Sequence, residues 1–468
     1  MDYWDYRKLA SKLVPRQTVL GGKDIYVQKE KGRKSNYKQY NIESGSLNTM
    51  ERLLSVEGIE SFAEVSLRAQ SCPMPLNVDL YDGLQCPFKC RYCFADYFRH
   101  SLYTSFFDNS KKLGLRRCPD AHWQKEMDKL MPHRGEKVEG ENSVINAVRL
   151  GIPMRLGIRF EDFVPVEKKH GTSLRFLQYL SSIKYPTMIN TKSSMPADDK
   201  YLEALAGNEG GAAVHITMIS ADDEFNKKME PAAPSFVKRA GAGKILSAAG
   251  VRVVARIEPW MMFLNDDRVK TDEYLAVLKE SGIHHLTLDS YSYSAYSKGI
   301  AENFNKIGAD FERMFLLSSD SQWLSSFLLG KFIEYIRSKG FECSTFDQGN
   351  APDNDDWICC SVGDYFTDKG AGFNWGSGVV AIRYIQSKNG ESVRWSDFES
   401  FVLAKGGWLN SQLRKEVQLI WNGEGDVAWP IYWSRGLEAI GQDESGIIWR
   451  FNNEFDHRKL LWEKGGMF

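Results

Sequence analysis

LNVDLYDGLQCPFKCRYC, residues 76–93, joins a short strand pattern to a loop carrying three cysteines. Leu76–Tyr81 reads as a strand, and the loop follows it directly. Cys86, Cys90 and Cys93 are spaced C-x3-C-x2-C. Three thiolates on one short loop suit three irons of a cubane cluster and leave the fourth iron without a protein ligand. Two other readings use the same residues. A zinc ion would take a fourth ligand such as His100 or Cys72, and a disulfide would leave one thiol over.

Outward from this loop, short apolar or β-branched runs alternate with helical patterns. Strands are predicted at Leu76–Tyr81, Met154–Phe160, Thr187–Thr191, Ala213–Ser220, Val251–Pro259 and Leu286–Ser290. Helices are predicted between most of them, at Ser173–Ile183, Asp198–Ala206, Ser235–Ala249 and Thr271–Ser281. Such alternation argues for a parallel sheet with crossover helices. The expected fold is α/β: a partial (β/α)6 barrel of the TIM type over residues 76–317, with its chemistry at the C-terminal ends of the strands. Residues 1–75 form an N-terminal extension. Residues 318–468 form a C-terminal α+β extension that opens with an amphipathic helix at Ser318–Lys339 and serves as a substrate or auxiliary-metal domain.

The 468 residues carry a net charge of −1 and are 43% hydrophobic, which gives no global pull towards nucleic acid or membrane. No apolar run is long enough to span a bilayer. The first residues, MDYWDYRKLASKLVP, are amphipathic and lack the apolar core of a secretory signal, so a cytoplasmic location is expected. Residues 21–40, GGKDIYVQKEKGRKSNYKQY, interleave basic residues with tyrosines. That mixture suits single-stranded nucleic acid, and equally a solvated loop. Residues 47–70 show helical periodicity.

The cysteine triplet resembles that of the radical S-adenosylmethionine superfamily, and further segments resemble its spore photoproduct lyase-like branch. These are Arg155-Leu156-Gly157 with Glu161 and Asp162; Thr191-Lys192-Ser193; Glu230-Pro231-Ala232-Ala233-Pro234-Ser235 with Arg239; and Arg256-Ile257-Glu258-Pro259 with Asn265-Asp266. The likeness covers about residues 72–295. It implies a 4Fe–4S cluster on Cys86, Cys90 and Cys93, with S-adenosylmethionine chelating the open iron. It implies reductive cleavage of that cofactor to a 5′-deoxyadenosyl radical that abstracts hydrogen from a substrate. It further implies an external electron donor of the flavodoxin or ferredoxin type. A nucleic-acid substrate is implied, as in DNA repair or nucleobase modification; a peptide or small metabolite, and a non-catalytic metal protein, are the alternatives.

The resemblance places Tyr92 near the adenine. Lys192 and Ser193, at a strand end, offer a cation and a hydroxyl to the methionyl carboxylate. Arg155, Ser220 and Arg256 are further cofactor-binding candidates, Arg256 as an inward-pointing group for a carboxylate or phosphate. Cys118 is the candidate hydrogen-atom donor. Cys343, Cys359 and Cys360 are candidates for a second iron–sulfur cluster or a zinc ion, with Cys72 or Cys118 as fourth ligand. Adjacent cysteines on an extended strand point apart, which counts against a shared metal. Pro231, Pro234 and Ser235 also fit a turn and a capped helix start. His284-His285 is expected in the sixth strand, one ring inward and one outward.

Overall fold

The parallel strands run in simple sequence order. In the computed structural model, which describes residues 2–12, 62–66, 69–82, 86–93, 116–158, 160–291, 304–309, 314, 322–345, 359–424 and 436–452, eight strands form one sheet. They are β1 (Ala63–Val65), β2 (Leu76–Val78), β5 (Met154–Leu156), β6 (Thr187–Thr191), β7 (Ala212–Thr217), β8 (Arg252–Trp260), β9 (His285–Ser290) and β10 (Glu342–Thr345), hydrogen-bonded in that order. Every pairing from β2 to β10 is parallel, and β1 pairs antiparallel with β2. β3 (Tyr81–Asp82) and β4 (Arg116–Arg117) make a small antiparallel pair after β2.

All six predicted strands stand in this sheet, within a few residues of their expected limits. The sheet also continues past them: helix Gln322–Ser338 and β10 add a further parallel strand from beyond residue 317. At the other edge, residues 63–65 lie in a strand where helical periodicity was expected, because pairing with β2 satisfies their backbone. The basic, tyrosine-containing segment and most of residues 47–70 lie outside the described residues.

Parity sorts each strand's side chains. Val214, Ile216, Val253, Ala255, Ile257, Leu286, Leu288 and Cys343 face the helices and join the main apolar core with Phe176, Leu246, Leu278 and Phe332. The alternate set faces inward. Met188, Ala213 and Val254 pack with Met74, Val362, Phe366 and Phe373, which are contributed partly by the C-terminal region. Asn77, Arg155, Asn190, His215, Thr217, Arg256, Glu258 and Thr287 share their strand faces and make the interior polar.

One glycine is dictated by this geometry. Gly157 has φ +78°, and a Cβ there would stand 1.9 Å from the Asn190 backbone oxygen on the next strand. Gly157→Ala is therefore expected to cost about 1–3 kcal/mol by overpacking, with the left-handed backbone adding to it. Denaturant melting of the variant checks this; an unchanged midpoint would mean β5 and β6 separate freely.

Two regions attach to the barrel. Helix Tyr3–Ala10, capped by Asp2, lays Tyr3 on Phe332 (5.0 Å between ring centroids) and Tyr6 on Phe327 (5.0 Å), and Arg7 pairs with Asp266 at 2.9 Å. Beyond residue 377, helices Gly378–Ser387, Trp395–Ala404 and Ser411–Trp421 pack on a three-stranded sheet of β11 (Ser392–Val393), β13 (Gly446–Phe451) and β12 (Leu437–Asp443). Their core is built from Trp395, Phe398, Trp408, Trp421 and Trp449. Asn374 ties this region to the chain before β2 by donating to Ala69 O (2.7 Å) and Cys72 O (3.1 Å).

Candidate functional site

The cysteine loop leaves the C-terminal end of β2 and turns tightly. Lys89 N donates to Cys86 O (3.2 Å), Cys93 N donates to Cys90 O (3.2 Å), and Lys89 takes a left-handed φ of 51°. The loop is clamped from two sides. Asp162 accepts from Leu80 N (2.9 Å) and Tyr81 N (3.1 Å) with one oxygen and from Gly157 N (2.8 Å) with the other, which locks the exit of β2 to the exit of β5. Arg91 N donates to Met229 O (2.9 Å), beside Glu230.

Glu230 is the centre of the second clamp. It is 2% exposed, accepts a hydrogen bond from the Tyr92 hydroxyl, and pairs with the fully buried Arg239 at 2.6 Å. Arg239 also donates to Thr217 O at the end of β7 (2.6 Å). Ser235 caps the helix that carries Arg239, its Oγ accepting from Lys238 N at 3.4 Å. The Glu-Pro…Ser…Arg segment thus serves as a helix start and as a charge clamp at once.

Lys192 is the other half of the site. It follows β6, where Glu161 fixes the chain by accepting from Thr191 Oγ1 (2.6 Å) and Lys192 N (2.9 Å). Its ammonium lies 5.5 Å from the centre of the Tyr92 ring. Burial works against its charge, but Cys90, Glu230, Cys93 and Glu161 outweigh burial and hold the amine above its ordinary range. Burial pushes the Cys90 thiol well up, with Lys192 opposing and Glu230, Cys93 and Cys86 adding to the rise. Burial likewise raises the Tyr92 phenol, helped by Glu230. Cys86, Cys90, Cys93, Tyr92 and Lys192 are thus one electrostatic unit.

A cubane fits the donor chemistry of this unit. Its cysteines each hold a different iron, so they stand further apart than ligands of one ion, and a cluster that needs thiolates gains from a facing cation. Among the described residues, no three His, Cys, Asp or Glu side chains are grouped closely enough to hold a single metal ion. His100, the alternative fourth zinc ligand, lies outside the described residues.

The remaining expected site residues divide. Ser193 Oγ accepts from Met195 N (3.3 Å) and Ser220 Oγ from Asp222 N (3.0 Å), so both hydroxyls shape the turns after β6 and β7. Arg155 and Arg256 point inward but belong to a separate group. Arg155 donates to Asn77 Oδ1 (2.9 Å) and lies 3.9 Å from Cys72 Sγ, and Arg256 is paired with Glu258.

Cys118 is fully buried in the helix-side core near Trp123, its backbone N donating to Leu80 O (2.8 Å) just past β2 and its Sγ 3.7 Å from Pro119 O, and burial pushes its thiol up to about 12. Among the described residues its surroundings are apolar core, which does not favour the expected role of hydrogen donor. The Cys343, Cys359 and Cys360 grouping is corrected. Cys343 faces the helices from β10, in the main core, while Cys359 and Cys360 face the interior. Cys359 and Cys360 form a turn, not an extended strand.

Sequence reasoning missed His215. His284 is exposed and His285 lies on the inward parity with Thr287, one ring out and one in as expected, but His285 sits at the start of β9, beside Arg252 (2.5 Å) and Glu342 (3.2 Å), away from the C-terminal strand ends. His215, 1% exposed on the inward parity of β7, is held neutral by burial and then by Arg256 and Arg155. A single histidine within AAVHIT was its only signal.

No protein-family model matches the chain, and no curated protein matches it. Solved structures do match in part. A spore photoproduct lyase double mutant with bound AdoMet and dinucleoside spore photoproduct is 15% identical, covering 50% of this chain and 62% of that one, with a TM-score of 0.37. Streptococcus suis SuiB bound to precursor peptide SuiA is 13% identical, covering 59% of this chain and 49% of that one, with a TM-score of 0.37. SuiB bound to S-adenosylmethionine is 14% identical, covering 59% and 51%, with a TM-score of 0.37. The match thus spans less than two thirds of each of these proteins.

Proposed function

We propose that this protein is a radical enzyme that binds a 4Fe–4S cluster through Cys86, Cys90 and Cys93 and cleaves S-adenosylmethionine. The observation that carries the reading is the placing of the Lys192 ammonium beside the three-cysteine loop, 5.5 Å from the centre of the Tyr92 ring, at the C-terminal ends of β2 and β6. When bound, the cluster supplies the electron that breaks a C–S bond of the sulfonium and so starts the hydrogen abstraction.

The chain's own residues have defined tasks. Cys86, Cys90 and Cys93 hold three irons. Lys192 offsets their negative charge and offers a cation to the carboxylate of S-adenosylmethionine. Tyr92 offers an aromatic face, held still by Glu230 and Arg239. Glu161 sets the position of Lys192 through its backbone. An external one-electron donor belongs to the same proposal.

Lys192→Met tests this arrangement. A lost hydrogen bond to a charged group costs about 1.5–3 kcal/mol, so S-adenosylmethionine affinity is expected to fall by roughly 10- to 100-fold. Equilibrium binding to the reconstituted protein measures it, and unchanged affinity would remove Lys192 from the site. Nucleic acid is the substrate class we propose, on the resemblance of the segments named above. Its test is salt-dependent oligonucleotide binding that weakens on neutralising Lys29, Lys31, Arg33 and Lys34.

A further inference from the structure

The barrel interior holds a second group of thiols that the proposed radical chemistry does not use. Cys359, Cys360 and Ser361 form a turn seated on the inward faces of β9 and β10. Cys359 O accepts from Ser344 Oγ (2.9 Å) and Thr287 Oγ1 (3.3 Å). Ser361 Oγ donates to Leu286 O (3.0 Å) and bonds Ser344 Oγ (2.6 Å), and Ser361 takes a φ of 54°. Cys359 and Cys360 are thus neighbours in a turn and not along a strand.

Each thiol is the first influence on the other's ionisation. The groups facing Cys360 are Arg155, Glu258 and Arg256, and Cys72 stands near both thiols. Cys359 comes first in holding the Cys360 thiol below its ordinary range, and the arginines assist against burial and Glu258. The Cys359 thiol is pushed up in turn. Both residues are half-buried, so the interior stays within reach of a small molecule.

We propose that Cys359 and Cys360 form a redox-active dithiol inside the barrel, which exchanges with small disulfides and closes to a vicinal cystine. The Cys360 thiolate attacks one sulfur of the small disulfide, forming a mixed disulfide and expelling one thiolate. Cys359 gives up its proton and attacks the Cys360 sulfur, expelling the second thiolate. One S–S bond forms and one breaks; two electrons pass from the cysteine pair to the small disulfide, which leaves as two thiols. Neighbouring Cα atoms stand about 3.8 Å apart, below the roughly 4.4 Å at which unstrained disulfides begin. The resulting bond is strained, so a thiol reductant reopens it readily.

The test is peptide mapping of the full chain after anaerobic incubation with oxidised glutathione and trapping with iodoacetamide. The expected result is a peptide in which Cys359 and Cys360 are joined, two hydrogens lighter and unalkylated, with both alkylation sites restored by dithiothreitol. Cys359→Ser is expected to leave glutathione trapped on Cys360, and Arg256→Gln to slow the reaction at pH 7, because the thiol loses one of the charges that hold it down. Both cysteines alkylated after incubation, a stable glutathione adduct in the unaltered protein, or a Cys72–Cys360 bond would overturn the proposal. So would a Cys359→Ser chain with no adduct. The mapping needs neither cluster nor S-adenosylmethionine, so its outcome and that of the radical reading are independent.

Discussion

Cys90→Ala is expected to abolish cluster uptake and leave no detectable cleavage of S-adenosylmethionine, while helix content stays near that of the unaltered chain. In the proposed site Cys90 is one of three cluster ligands. Its thiol faces both Lys192 and the other two cysteines, and its carbonyl accepts from Cys93 N at 3.2 Å to close the turn. Alanine removes one of the three iron ligands from this turn. Iron and sulfide counts after anaerobic reconstitution, with circular dichroism as the control for folding, check the prediction. Cys118→Ala serves as the contrasting variant and is expected to keep its cluster and its activity, because that thiol is enclosed in the helix-side core.

Glu230→Gln is expected to lower stability by about 3–5 kcal/mol, the usual cost of stranding one partner of a buried ion pair. Arg239 is fully buried, and among the described residues its charge is met by Glu230 at 2.6 Å. The amide keeps the shape and a hydrogen-bonding group for Tyr92 but removes the counter-charge. Replacing both partners, as Glu230→Gln with Arg239→Met, is expected to recover much of the loss, because the double variant strands no charge. Urea melts of the parent and the two variants measure this. A Glu230→Gln midpoint equal to that of the parent would show that the pair is dispensable. A neutral acceptor holds the Tyr92 hydroxyl less firmly than the carboxylate does, so the adjoining cysteine loop loosens and a lower iron content per folded chain is expected beside the stability loss.

The parts of this molecule that were legible in its sequence are those set by local pattern. The six strands and their crossover helices could be read because apolar runs and 3.6-residue periodicity recur around them. The cysteine triplet could be read because its spacing is chemically restrictive. What escaped depends on parity and on turns. Arg155 and Arg256 lie on the inward parity, as expected for Arg256, yet their partners Asn77, Cys72 and Glu258 come from β2, the segment before it, and the same strand's next inward position. No local pattern gives those pairings. Cys343 and Ser344 differ by one residue and lie on opposite faces, which separates Cys343 from the Cys359–Cys360 pair that its spacing had suggested. β10 itself is four residues long and follows an amphipathic helix, so it read as the start of a different region. Cys359 and Cys360 were expected to diverge as in a strand, and they lie in a turn instead.

The interior also bears on the Glu161 and Asp162 pair. Both carboxyls are held above their ordinary range, chiefly by burial, and both accept backbone hydrogen bonds that oppose the rise. Their acceptor geometry explains why an acidic pair follows Gly157: one carboxylate locks β2 to β5, and the other positions the backbone of Lys192.

The most direct measurement is anaerobic reconstitution with iron and sulfide, followed by dithionite and S-adenosylmethionine and an assay for 5′-deoxyadenosine. The account predicts about four irons per chain, one cubane, and 5′-deoxyadenosine that depends on the reductant. A chain that retains zinc, takes up no cluster and releases no 5′-deoxyadenosine would contradict it.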